Sequence, residues 1–140
     1  MILVARTQRL FLPDMVKRRE GGILNLASTA FAPGPLMAVY YASKAFVLSF
    51  SQALSNELKD SGVTVTALCP GATKTGFSVR AGTDKSNVAK TEIDVETFAL
   101  AGDCGLMSGK EVVIPGFRNG MLKVGSNWSQ RAPQRVPRDG

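Results

Sequence analysis

Apolar positions recur along this chain with two different periods, and the switches between them predict its elements. Over residues 1–19, Leu3, Leu10, Phe11, Met15 and Val16 fall roughly on one side of a helix. Pro13 inside that run lacks an amide hydrogen and is expected to kink the helix or restart it. Gly21-Gly22 end it, and the short apolar run at 23–26 fits a buried strand. Pro33, Gly34 and Pro35 mark residues 28–39 as a loop. A second helix is predicted over about 40–59, with Ala42, Ala45, Phe46, Ser49, Ala53, Leu54 and Leu58 as its stripe and Ser61-Gly62 closing it. Val63–Leu68 reads as the next strand, broken by Cys69-Pro70-Gly71. Residues 76–91 are polar and aperiodic, and a mobile loop is expected there. Asp94 is placed to cap a helix over Val95–Met107, although Gly102 and Gly105 weaken its second half. Val112 to Ile114 form a third short strand, stopped by Pro115-Gly116.

Helices that alternate with short strands argue for an α/β fold: three short parallel strands joined by crossover helices. The 140 residues allow one domain, read here as 1–125, with 126–140 as a flexible tail rich in Arg, Pro, Ser and Gln. At 44% hydrophobic and 20% charged residues, the chain has the balance of a folded globular protein. No apolar run reaches the ~18 residues a membrane span requires, so no membrane partner is expected. Arg6 and Arg9 follow an apolar start, the reverse of a secretory signal, and the expected location is cytoplasmic.

Two cysteines and no histidine leave no zinc set, so no metal is expected, and they exclude Ser-His and Cys-His catalysis. The net charge of +6 is dispersed, with Lys17-Arg18-Arg19 at a helix end where cations suit the dipole. A nucleic-acid site would cluster basic and aromatic residues, so no nucleic-acid partner is expected.

One constellation carries chemistry. Tyr40 and Lys44 are four apart at the start of a helix, so their side chains share a face. A phenol beside an ammonium can exchange protons as a general acid or base. Ser28 follows the first strand, at the carboxyl edge where a parallel sheet receives its ligands. A hydroxyl there can hydrogen-bond a carbonyl oxygen while the tyrosine protonates it. The set suits carbonyl reduction or alcohol oxidation, with hydride from a bound cofactor.

Gly21-Gly22-Ile23-Leu24-Asn25-Leu26-Ala27-Ser28, then Tyr40-Tyr41-Ala42-Ser43-Lys44-Ala45, then Cys69-Pro70-Gly71-Ala72-Thr73-Lys74-Thr75 resemble the short-chain dehydrogenase/reductase superfamily, in the family's order. The resemblance implies a Rossmann-like domain using NADP or NAD on a small carbonyl or alcohol substrate. It implies that Ser28 polarises the substrate oxygen, that Tyr40 is the acid/base, and that Lys44 binds the nicotinamide ribose beside Tyr40. Pro70, Gly71, Ala72, Thr73 and Thr75 would line the nicotinamide and neighbouring phosphates, with 76–91 as the substrate loop. Ser28 precedes Tyr40 by twelve residues, one fewer than is usual in the family, and Ala27 occupies the usual spacing.

The family's glycine-rich turn after a first strand is not in this sequence, so the chain resembles the C-terminal, catalytic half of the domain, with the N-terminal half of the usual sheet missing. Two expectations follow. The 23–26 strand becomes an exposed apolar edge. The chain is also expected to be a homo-oligomer through the helices near 1–19 and 40–59, which pack between subunits in the family. The alternative reading is a truncated, inactive relic or interaction module without the cofactor-phosphate site.

Overall fold

A computed structural model describes residues 1–29, 37–71 and 94–116. In chain order these form α1 (Ile2–Arg18), β1 (Gly21–Leu26), α2 (Ala38–Glu57), β2 (Val63–Leu68), α3 (Val95–Met107) and β3 (Val112–Val113). The strands make one parallel sheet in the order β1-β2-β3, with Gly21 opposite Val63, Leu26 opposite Leu68, and Ala67 opposite Val112. The α/β architecture predicted from the sequence is therefore present, as a partial Rossmann-like sheet. The expected loop at 76–91 and tail at 126–140 lie outside the described residues.

Each element ends for a local reason. Lys17 and Arg18 occupy the last turn of α1, and the amides of Arg19 and Glu20 cap the carbonyls of Val16 and Met15 at 3.1 Å. Arg19 takes a left-handed φ of 57° to do so, and its carbonyl then lies 2.1 Å from where a Cβ on Gly62 would sit. Gly62, itself at φ 80°, admits that approach because it has no side chain. Asp94 caps α3 as predicted, its carboxylate accepting from the amides of Glu96 and Thr97. Gly102 and Gly105, expected to weaken α3, instead seat it on the sheet. A Cβ on Gly102 would lie 2.5 Å from Leu68 Cδ2, and one on Gly105 2.2 Å from Val113 Cγ2.

Three expectations need correction. The helix α1 runs on through Pro13 rather than restarting there, and the exposed ring costs one backbone bond. The face that α1 turns inward is Val4, Gln8, Leu12 and Met15, while Leu3, Leu10, Phe11 and Val16 are exposed. On α2 the buried row is Val47, Ser51, Leu54 and Leu58, and Ala42, Ser49 and Ala53 face outward. Both errors have one cause: each buried row has a polar residue at its centre, which an apolar stripe passes over. Gln8 Nε2 donates to Asn25 Oδ1 at 2.6 Å, Asn25 Nδ2 to Ser51 Oγ at 2.9 Å, and Ser51 Oγ to the Val47 carbonyl at 2.7 Å. These buried amides and hydroxyl are hydrogen-bonded to one another, which offsets most of their desolvation.

That polar chain divides the core in two. At the amino end of the strands Leu54, Leu58, Val63 and Val65 pack with Leu12, Met15, Ile23 and Phe50. At the carboxyl end Ala27, Val47 and Cys69 pack with Val4, Phe46, Leu48, Val112 and Ile114. Among the described residues β1 is an edge strand, and Leu24 and Leu26 on it are 40% and 53% exposed, as the sequence led us to expect.

Candidate active site

The pairing of β1 with β2 continues past the strand ends. Ala27 N donates to the Leu68 carbonyl at 2.8 Å and Thr29 N to the Pro70 carbonyl at 2.9 Å. Ser28 is thus held in extended backbone alongside Cys69-Pro70, at the carboxyl edge of the sheet. Ala27 and Ser28 are both buried, Ala27 in the cluster at the carboxyl end of the strands, and the Ser28 hydroxyl approaches the Pro70 carbonyl at 3.5 Å.

Tyr40 and Lys44 stand one turn apart at the start of α2, both half-buried. Lys44 Nζ lies 5.8 Å from the centroid of the Tyr40 ring and donates to the Leu26 carbonyl at 2.9 Å. That carbonyl belongs to the last residue of β1, so the lysine bridges the helix carrying Tyr40 and the strand leading to Ser28. The Ser43 hydroxyl donates to the Tyr40 carbonyl at 2.7 Å, and Tyr41 packs edge-on against Tyr40 with centroids 6.0 Å apart. Burial lowers the Lys44 pKa from its ordinary 10.5, and the nearby Cys69 partly opposes this.

Cys69 lies beneath this group, fully buried. Burial pushes its thiol up to about 11, against the Ser28 amide hydrogen bond and the Lys44 charge, which act the other way. A thiol so held is protonated at neutral pH and is a packing residue rather than a nucleophile.

The structure therefore brings Ser28, Tyr40 and Lys44 to one edge, with Pro70 and Gly71 beside them. Ala72, Thr73 and Thr75, and the substrate loop, lie outside the described residues. One neighbour was missed from the sequence: Thr29, whose hydroxyl donates to the Pro70 carbonyl at 3.2 Å. Cys69 continues the alternation of inward residues along β2 one step past Leu68. Nothing in the sequence marks Thr29. Among the described residues no group of His, Cys, Asp and Glu could hold a metal ion, and no helix is long and apolar enough to cross a membrane.

The residues present fit the ribose and nicotinamide end of a dinucleotide. Lys44 has three N–H donors, of which the Leu26 carbonyl takes one. Among the described residues, none would come within 4 Å of a Cβ placed on Gly71, so its backbone is open to a flat ring on that side.

A parallel sheet with these groups at its carboxyl edge defines a partial Rossmann-like domain of the oxidoreductase type. The chain belongs to the short chain dehydrogenase family, which it matches over residues 4–86. It is 47% identical over 68 residues to the very-long-chain 3-oxoacyl-CoA reductase of Bos taurus, covering 48% of this chain and 22% of that protein. It is also 47% identical over 68 residues to 17-beta-hydroxysteroid dehydrogenase type 3 of Mus musculus, covering 48% and 22%. A short-chain dehydrogenase from Sphingobium yanoikuyae, solved in complex with NADPH, superimposes with a TM-score of 0.68 and 31% identity, covering 91% of this chain and 52% of that one. The matches thus span about a fifth of the curated relatives' own length and about half of the solved neighbour's.

Proposed function

We propose that this chain carries the proton-transferring part of an NAD(P)-dependent oxidoreductase site that interconverts a carbonyl and an alcohol. The observation that carries this reading is the Lys44 ammonium, 5.8 Å from the Tyr40 ring and anchored to the end of β1, beside Ser28. When bound, the nicotinamide supplies or accepts the hydride. The protein's own residues handle the proton and the oxygen. Tyr40 donates its hydroxyl proton to the carbonyl oxygen in reduction, or takes the proton from the alcohol in oxidation. Ser28 donates a hydrogen bond to the same oxygen and steadies the charge that develops there. Lys44 keeps a positive charge beside the ring as the phenol gives up its proton, and its remaining donors face the ribose. The relatives' names point to 3-oxoacyl thioesters as the first substrate class to try, with ketosteroids next.

Titrating the chain with NADPH and, separately, NADH by fluorescence tests the cofactor half of this reading, and Tyr40→Phe tests the proton half. Saturable binding in the micromolar range is expected. The phenylalanine variant should lose at least ~100-fold in turnover while binding the cofactor as before. Equal turnover in that variant would assign the proton to another group. No binding at millimolar cofactor would favour the second reading, an interaction module that keeps Tyr40 and Lys44 without a cofactor-phosphate site. That reading draws its support from the half-exposed apolar edge of β1.

Association of two copies through α1 and α2 belongs to the same proposal. Ile2, Leu3, Leu10 and Phe11 are each at least 60% exposed on α1, an apolar face that a second copy would cover. Sedimentation at tens of micromolar should give a dimer or larger species, and a monomer would rule this out.

A further inference from the structure

Two helices carry outward stripes that match in spacing and are opposite in charge. On α1, Leu3, Arg6, Leu10 and Lys17 are all exposed and lie within about 60° of one another around the axis, at about 100° per residue. On α3, Glu96, Leu100, Asp103 and Met107 are all exposed and share an arc of about the same width. Leu3 and Leu10 are one heptad apart, and so are Leu100 and Met107. Arg6 follows Leu3 by three residues, as Asp103 follows Leu100. All four apolar residues are more than half exposed. The helix α3 contains no basic residue, and among the described residues none of the four charges on the two stripes has an ion-pair partner.

We propose that the outward stripe of α1 docks on the outward stripe of α3 in a second copy of this chain. The proposal rests on the association through α1 read above and names the surface that meets it. Leu3 and Leu10 then pair with Leu100 and Met107, and Arg6 falls opposite Asp103 or one residue from it, whichever way the helices run. Removing four exposed apolar side chains from water drives the contact, and the opposite charges select it. Packing α1 against another α1 would set Arg6 against Arg6, and packing α3 against another α3 would set Asp103 against Asp103. Like charges disfavour both. The helix α1 packs on the side of the sheet that Ile23 faces, whereas α3 packs against Leu24 and Leu68 on the other side. One copy therefore offers both stripes at once, on opposite sides, and the contact runs head to tail into species larger than a dimer.

Sedimentation velocity of the full chain at tens of micromolar tests this, with circular dichroism as the check that each variant is folded. The wild-type chain should form species larger than a dimer. Raising the salt from about 0.1 M to about 1 M should weaken them, as the screening length falls from about 10 Å to about 3 Å. Arg6→Asp and Asp103→Arg should each weaken association about tenfold, because each sets like charges together. A one-to-one mixture of the two variants should restore it to within about twofold of wild type, since each presents the charge that the other needs. An association that stops at a dimer, an Asp103→Arg variant that associates as wild type does, or a mixture no stronger than its components would overturn docking on α3 and leave association through α1 standing. A wild-type chain that stays monomeric would overturn both.

Discussion

The two halves of the core are built from different materials. Towards the amino ends of the strands, leucines and valines from α2 and β2 meet Leu12, Met15, Ile23 and Phe50 in a cluster with no polar atom among its side chains. Towards the carboxyl ends the buried members are an alanine, a valine and a cysteine, and directly above them lie Ser28, Pro70 and Lys44. Large aliphatic side chains contribute most through the area they bury. Small ones contribute less, but they let hydroxyls and an ammonium come close to the sheet edge. The Gln8–Asn25–Ser51 chain marks the boundary on all three elements at once. Val4, Gln8 and Leu12 follow one another on α1, Ile23, Asn25 and Ala27 along β1 and its first following residue, and Val47, Ser51 and Leu54 on α2. One half of the core is packed from large aliphatic side chains, and the other, of small residues, lies under the candidate site.

The sharpest way to break this comparison is to damage the amino-end cluster and look for an effect at the site. Leu54→Ala should cost about 3 kcal/mol in urea unfolding, the usual range for a buried leucine that leaves a cavity. Cys69→Ala should cost about 1 kcal/mol, since it removes one atom. Equal losses would mean that the two halves share the load. Next comes the boundary. Asn25→Leu removes the acceptor for Gln8 Nε2 inside the core, and Gln8 Oε1 is already buried without a partner among the described residues. About 2 kcal/mol should be lost, as for other buried donors deprived of a partner. Adding Gln8→Met should recover most of that loss, because the double variant leaves neither amide stranded. A double variant no more stable than Asn25→Leu would show that the polar chain acts through shape rather than hydrogen bonding.

Strand positions, the helix α3 and the Tyr40–Lys44 pair were legible in the sequence because each is encoded locally. A cap, a run of β-branched residues or a spacing of four needs no knowledge of the rest of the chain. The inward faces of α1 and α2 were not legible, because Gln8 and Ser51 are inward only through Asn25 on β1, seventeen and twenty-six residues away. The glycines of α3 were misjudged for a related reason. Propensity counts Gly102 and Gly105 against a helix, yet the contacts with Leu68 and Val113 that require them are tertiary. At the candidate site, Ser28, Tyr40 and Lys44 were singled out by their types, and the fold brings them to one edge. The Leu26 carbonyl that anchors Lys44 and the Thr29 hydroxyl on Pro70 are not marked in the sequence, because each contact depends on a backbone carbonyl that the fold brings close.

The smallest effect sharpens the comparison from the carboxyl side, where burial acts on two titrating groups in opposite directions. The Cys69 thiol is raised from its ordinary 9.0 to about 11 in the folded chain. As pH rises from about 9 to 11 the unfolded thiol ionises while the folded one keeps its proton, so the folded state binds more protons and stability falls. Lys44 is lowered from 10.5, so the folded lysine gives up its proton first and stability rises over its own window below that value. The difference between the wild type and Cys69→Ala isolates the thiol. Their unfolding free energies should converge by about 1 kcal/mol between pH 9 and 11, after allowance for solvent screening. A parallel course for the two curves would mean that water reaches the sulfur. Alkylation checks the same point at pH 8: iodoacetamide should modify the exposed Cys104 readily and Cys69 only as fast as the chain opens. Equal rates at the two cysteines would mean that the small-residue half of the core is open beneath Ser28, and the contrast between the two halves would be one of access rather than of side-chain size.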